Sequence, residues 1–275
     1  KHLPALASGK ALGAFAATEA NSGANPLAVE TKAALQDGRY VVNGSKVFIT
    51  AGGEADVYLT LVRTGQAPGP AALSLLCIEK GAPGFSFGRL HYRLGFNGTS
   101  CRELLFEGCP VPQDHLVGQE GGYMMAAMPI MGVALVGAAA LAVGIAQAAL
   151  DASLRHAKER VVAGQPIGRY QGIQFLVSEM SANVEAARAL VHLAAFRRDS
   201  GPPGPPLDAF KAKLFATEMA QQVTSQALQV HGGQGYTREL PIERYFRDAR
   251  GLTLHFGPSE MLKETLGKML LGMFP

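Results

Sequence analysis

Charge is scarce in this chain. Charged residues make up 17% of the 275 and hydrophobic ones 48%, which marks a core-forming globular chain rather than a disordered one. The net charge of +3 is too mild and too scattered to point to nucleic acid. Cysteine is also scarce. Cys77, Cys101 and Cys109 have no metal-binding spacing, and an odd count of three fits reduced thiols in a cytosol-like compartment, the cytoplasm or an organelle matrix. The seven histidines show no zinc spacing and no Ser–His–acid order stands out, so neither a metal centre nor a triad is expected from spacing. The opening KHLPALASGK lacks the apolar run of a secretory leader. It also lacks an initiator Met, and the chain is expected to be a fragment.

One stretch lacks charge altogether. From Met124 to Leu150 there is no ionisable carboxylate, lysine or arginine, which by length alone describes a membrane-spanning segment. Ala and Gly are its commonest small residues, it contains Pro129, and Glu120 and Asp151 border it. Small residues suit a helix packed closely by neighbours. The expectation is a core helix, with no integral membrane segment.

What is present divides into two patterns. ETKAALQDGRYVVNGSKVFITAG carries Asp37-Gly38 and Asn43-Gly44 between alternating apolar runs, and both dipeptides are predicted as hairpin turns because they supply positive φ. Further strands are expected over 56–64, 72–79 and 102–106. Such a meander buries one face in a sandwich or small barrel. From about Gly121 the period becomes helical: Ile173, Leu176, Met180, Val184, Ala187 and Val191 form one stripe, and Ala216, Met219, Val223, Ala227 and Val230 another. A third runs through Met261, Leu262, Thr265, Leu266, Met269, Leu270 and Met273. GPPGPP at 201–206 separates two of the helices. The fold class is therefore α+β, a β-sandwich or barrel followed by a four-helix bundle, and no internal repeat is visible.

Individual residues carry less. HGGQGY, from His231 to Tyr236, frees backbone N–H groups to approach a phosphate, although on spacing alone a plain helix cap and turn is favoured. Gly257-Pro258-Ser259-Glu260 reads as a helix start with Pro first and Glu third; a phosphate or flavin edge suits that end, while Glu260 by itself reads as a cap. Thr18 and Thr50 are ordinary hydroxyls, Phe48 an ordinary core aromatic, and Arg160 an ordinary helix-end cation. Among the histidines only His255 draws attention.

Taken together, the segments resemble the acyl-CoA dehydrogenase family over almost the whole chain. ATEANSGANP is similar to the family's TEPGAGSD segment, and VNGSKVFITAGGEAD to its NGxKxWIT(N)GG strand pair. RLGFNGTSCRELLFEGCPVP resembles the strand that leaves the β-domain. ERVVAGQPIGRYQ resembles the R-x-x-FG-x-x-I-x-x-x-Q loop, and ALQVHGGQGYTRELPIERYFRDAR the Q-x-x-GG-x-GY…RDA signature.

The resemblance implies an N-terminal helical domain mostly absent here (only 1–13 belong to its end), a middle β-domain over 14–118 and a C-terminal four-helix bundle over 119–275. It implies FAD as cofactor, an acyl thioester as substrate, an electron-transfer flavoprotein as acceptor, and a homo- or hetero-tetramer. Thr18 and Thr50 would bond the flavin ring system, with Phe48 replacing the usual Trp against it. Arg160, Gln171, Gln229, Gly232 and Gly233 would reach the pyrophosphate and adenosine of a neighbouring subunit's FAD. Ser259 and Glu260 match the T-x-E turn bordering the cofactor, with Pro258 in place of its Thr.

The resemblance breaks on the substrate side. The family's usual base is a Glu one residue before the Gly of a terminal Y-E-G-T turn, and an α-proton of a thioester needs such a base within reach. Phe256 stands in that place here. Some members carry the base on the first bundle helix, but the stretch around Gly132 to Leu135 is apolar. The D-x-x-R pair associated with CoA is missing from that helix, and Ala24 replaces a Ser. His255 is a remaining substitute, since imidazole titrates in a suitable range. The catalytic group is thus unassigned. The leading expectation is an FAD-dependent α,β-dehydrogenase of an acyl thioester with an atypical or missing base. The alternatives are a base-less subunit completing a partner's FAD site, and a flavin monooxygenase on the same fold.

Overall fold

The computed structural model describes residues 1–66, 69–201 and 206–273. They divide into two units: Lys1–Arg93 with Asn97–Ala127, and Leu94–Phe96 with the chain from Met128 onward.

The first unit holds a short helix α1 (Leu3–Ala7) and strands β1 (Gly13–Ala16), β2 (Lys32–Gln36), β3 (Arg39–Thr50), β4 (Val57–Arg63), β5 (Leu73–Glu79), β6 (Phe85–Leu90), β7 (Cys101–Pro112) and β8 (Leu116–Val117). They form one mixed eight-stranded sheet in the order β6-β7-β3-β2-β4-β5-β8, with β1 parallel to β4. The two-residue side-chain period explains why β4 and β5 read as nearly continuous apolar runs. Tyr58 and Val62 of β4 join Leu76 and Ile78 of β5 in a cluster with Tyr40, Leu104 and Phe106. Leu61, Leu73 and Leu75 belong to a second cluster with Val29, Tyr123 and Ala127. Both faces of these two strands are buried.

Asp37-Gly38 makes the predicted hairpin. Both residues have positive φ, 48° and 74°, and Gln36 pairs with Arg39 across a two-residue loop. Asn43-Gly44 does not: the chain runs through it as β3, with a register shift against β7 between Val42 and Gly44. Asn43 Oδ1 accepts the Gly108 N–H at 2.7 Å, and a Cβ on Gly44 would lie 2.6 Å from Thr31 Oγ1. The dipeptide is a bulge with close backbone contact, because the long partner β7 holds the strand extended.

The second unit is helical: α2 (Tyr123–Glu159), which begins in the first unit, α3 (Gln171–Ser200), α4 (Leu207–His231), α5 (Ile242–Leu252) and α6 (Ser259–Leu270). Three are long and two short. The GPPGPP break lies between α3 and α4, with residues 202–205 outside the described residues. α2 is apolar and long enough to cross a membrane by length and composition. Pro129 sits inside it, where it removes one helical hydrogen bond without ending the helix. One line of α2, Ala139, Ala142, Val143, Ala146, Ala149 and Leu150, packs with Met180, Val184 and Ala187 of α3 and Ala216, Ala220 and Val223 of α4. The alanines let these helices approach closely. The predicted stripes lie on α3, α4 and α6, except that Met273 falls beyond the end of α6; α5 was not anticipated, since IERYFRDARGL shows few apolar residues.

Gly44 and Gly38 give a controlled comparison. Gly44→Ala combines a φ of 144° with a steric clash against Thr31, and should cost about 1–3 kcal/mol by urea unfolding. Gly38→Ala meets no atom within 4 Å and should lose only the left-handed penalty, about 1–2 kcal/mol or less.

Candidate functional site

In the first unit a buried ion pair organises the loop after β1. Lys46 is fully buried, and its Nζ lies 2.7 Å from Glu19 Oε1 and 3.2 Å from the Ala17 carbonyl. Glu19 also accepts the backbone N–H groups of Glu30 and Thr31 at 2.7 and 3.0 Å. Burial pushes the Glu19 carboxyl up, but the attraction of Lys46 and these hydrogen bonds outweigh it and hold Glu19 below its ordinary value. Lys46 is lowered to about 8, because burial outweighs its attraction to Glu19. The two directions pull against each other; three donors on one carboxylate favour the ionised pair at neutral pH.

The same region gathers the expected flavin contacts. Thr18 accepts the Val47 N–H at 2.9 Å through its carbonyl, so its loop is tied to β3. A second register shift between Lys46 and Ile49 throws Phe48 outward. Phe48 is no core aromatic: it is 60% exposed, has φ of 58°, and stacks obliquely on His91 with ring centres 4.5 Å apart. Thr50, two residues on, is exposed and pairs with Cys101. A bulge that re-aims a side chain beside a fixed loop is a feature of sites rather than of plain sheet.

In the second unit, a cavity of about 940 Å³ collects Arg160 at the end of α2, Tyr170 before α3, and Gln229, His231, Gly232 and Gly233 at the end of α4. Four residues predicted for the cofactor therefore line one space. Gln171, first residue of α3, is exposed but is not among the lining residues. Gly232 has φ of 60° and ψ of −144°, a region open in practice to Gly alone. A Cβ at Gly232 or Gly233 would meet nothing of this chain within 4 Å, so the space beside both is free for a ligand. Two histidines that spacing did not single out belong here. His156 stacks on His231 at 4.3 Å, and the His231 ring nitrogen Nδ1 lies 2.8 Å from the Ala227 carbonyl. Burial first, then His231 and Arg160, lower the pKa of His156. Only the position of His231 at the head of HGGQGY signalled this in the sequence.

The turn between α5 and α6 carries the remaining candidates. Phe256 has φ of 53° and is 58% exposed. The Gly257 carbonyl accepts a 2.8 Å bond from Nζ of Lys213, a fully buried α4 lysine that burial lowers to about 8. His255 turns to Phe96, ring edge to face with centres 5.5 Å apart. Ser259 opens α6, one residue later than expected, with Pro258 as its N-cap and no side chain capping this end; Glu260 is exposed and is not the cap. Ser259 Oγ is buried with no hydrogen-bond partner among the described residues. In α5 the RDAR motif is structural: Arg247 bonds Glu243 at 2.5 and 3.0 Å and the Leu94 carbonyl at 2.6 Å, and Asp248 accepts the Phe96 N–H at 2.6 Å.

Two family models match the chain. Residues 14–109 match the acyl-CoA dehydrogenase middle domain, and residues 123–271 the acyl-CoA dehydrogenase C-terminal domain. This chain belongs to the acyl-CoA dehydrogenase family. An acryloyl-CoA reductase (NADH) of Anaerotignum propionicum is 42% identical to it over 272 residues, covering 98% of this chain and 69% of the relative. Among solved structures, butyryl-CoA dehydrogenase of Megasphaera elsdenii is 37% identical with a TM-score of 0.95, over 98% of this chain and 70% of that one. A chain in the structure of the electron transferring flavoprotein of Acidaminococcus fermentans is 38% identical with a TM-score of 0.95, over 98% of this chain and 71% of that one. Acyl-CoA dehydrogenases are FAD-dependent oxidoreductases acting on CH–CH bonds.

The residues present fit such a cofactor on two counts. The open glycine edge beside Arg160 and Gln229 offers close backbone approach and a cation to a diphosphate. The Thr18 loop and the outward Phe48 offer a hydroxyl and an aromatic face to a flat ring system.

The Lys46–Glu19 pair has a measurable consequence. Glu19→Gln leaves a buried ammonium without its counter-charge and should cost about 3–5 kcal/mol in urea unfolding at pH 7. In the unaltered protein the contribution of Glu19, lowered below 4.5, is complete above that pH and is lost as pH falls through the folded value. The variant should lack this part of the acid-side slope.

Proposed function

We propose that this acyl-CoA dehydrogenase binds FAD and carries out α,β-dehydrogenation of an acyl thioester, handing the electrons to a separate flavoprotein, without a carboxylate at the usual base position. The observation that carries the FAD part is the single cavity shared by Arg160, Gln229, Gly232 and Gly233. Relatives that act on acyl-CoA support the substrate class, and the likeness to a chain from an electron transferring flavoprotein structure supports the acceptor.

When bound, FAD supplies a two-electron hydride acceptor. The residues of this chain do the rest. Thr18 and Thr50 hold the flavin edge, and Phe48 covers one side of it. The Ser259–Glu260 turn borders a cofactor; Arg160 neutralises diphosphate charge, Gln229 and Gln171 orient that diphosphate and its adenosine, and Gly232 and Gly233 permit its close approach. This diphosphate belongs to a neighbouring copy, in a tetramer. Lys213 holds the Gly257 carbonyl and so the backbone that presents residue 256. Phe256 excludes water but accepts no proton, and His255 is engaged with Phe96. Removal of the α-proton therefore depends on a group other than residue 256. A second reading, a base-less subunit that completes a partner's site, is favoured by the same benzyl ring and by the apolar α2 segment at 132–135.

Anaerobic flavin bleaching with a panel of acyl-CoA thioesters tests this. Slow bleaching is expected from the unaltered protein. Phe256→Glu should accelerate it by about 10²–10⁴-fold, the range of a positioned general base. Absence of bleaching in both proteins, with FAD retained, would remove the dehydrogenase reading. Arg160→Met should weaken FAD retention on gel filtration by roughly tenfold or more; undiminished retention would remove Arg160 from the diphosphate site.

A further inference from the structure

Far apart in sequence, His2, Glu79 and His115 meet on the first unit. His2 precedes α1, Glu79 ends β5, and His115 closes the short turn between β7 and β8. One ligand atom from each lies within 4.8 Å of the other two. Nε2 of His2 is shut off from solvent and has no hydrogen-bond partner among the described residues, although Glu79 Oε1 is only 3.2 Å away. A ring nitrogen in that state is costly until something meets its lone pair or its proton.

His115 is already oriented. Its Nδ1 lies 3.0 Å from the Cys77 carbonyl, and a carbonyl only accepts, so Nδ1 carries the proton and Nε2 keeps a free lone pair. A backbone carbonyl on the far nitrogen is how metal-bound imidazoles are commonly held. The rings of His2 and His115 stand nearly perpendicular with centres 6.0 Å apart, which leaves room between their edges.

We propose that His2, Glu79 and His115 form a site for a divalent first-row transition ion of the zinc type, pinning the segment before α1 to the edge of β5. Four-coordinate ligands about 2.0–2.2 Å from zinc stand about 3.3 Å from each other. The His2–Glu79 separation matches that already, and the remaining edges close by a shift on the order of 1 Å. Two imidazoles and one carboxylate are the donor set this class of ion prefers over magnesium or calcium. The local competitor is Lys1, whose Nζ is 2.6 Å from Glu79 Oε1. Its side chain is 66% exposed, so this ion pair contributes little and yields to a metal.

Calorimetric titration of the untagged, metal-stripped full chain with zinc chloride tests the site, with cobalt(II) absorption reporting coordination. One equivalent is expected, with a cobalt spectrum of four-coordinate type. His115→Ala and Glu79→Gln should each weaken binding at least about tenfold, while Lys1→Ala should tighten it. Thermal unfolding without metal checks that both weakened variants remain folded. Failure to bind stoichiometric zinc, or an affinity in both variants equal to that of the unaltered protein, would overturn the site.

Discussion

The Lys46–Glu19 pair is the contact on which the first unit's candidate site depends. A lysine with no solvent exposure is tolerable only with a partner, and Glu19 supplies one while also accepting two backbone N–H groups from residues 30 and 31. Three segments meet on that carboxylate: the loop after β1, the start of β2, and β3. Thr18 lies beside Glu19 on the loop, and Phe48 and Thr50 follow Lys46 on β3. The charges thus set the positions of three neutral residues. An apolar pair of similar size would pack as well but would not fix the loop's backbone.

Backbone strain marks the same places. Phe48, Ala51 and Phe256 all adopt left-handed conformations, which cost a bulky or β-carbon-bearing residue free energy that the surroundings must offset. At Phe48 the offset comes from β7 pairing on either side of the bulge. At Phe256 it comes from the hydrogen bond of buried Lys213 to the next carbonyl and from Gly257, where a Cβ would lie 2.4 Å from Met261 Cε. Phe48 and Phe256 are both presented outward by a left-handed backbone, one in each unit.

The helical unit uses its sequence differently. Alanine on α2 and α4 allows close approach and leaves little side-chain bulk in the middle of the bundle. The cofactor contacts proposed for this unit sit at helix ends: Arg160 just after α2, Gly232 just after α4 and Ser259 at the start of α6. Charge within α5 clamps residues 94–96, through Arg247 and Asp248, which gives the RDA part of the family signature a structural role.

From the sequence alone came whatever depends on local periodicity or short motifs. The stripes of α3, α4 and α6 follow from 3.6-residue spacing, the 37–38 hairpin from two positive-φ residues, and the family from ordered motifs such as HGGQGY. Tertiary structure alone decided what depends on a distant partner. Asn43-Gly44 became a bulge because β7 lies across from it; His156 and His231 stacked because the ends of α2 and α4 meet; Lys213 reached Gly257 across 44 positions. His2, Glu79 and His115 share no spacing rule at all. Hydrophobic period is a property of neighbours along the chain, whereas a hydrogen bond, an ion pair or a ligand set is a property of neighbours in space, and only packing converts one into the other.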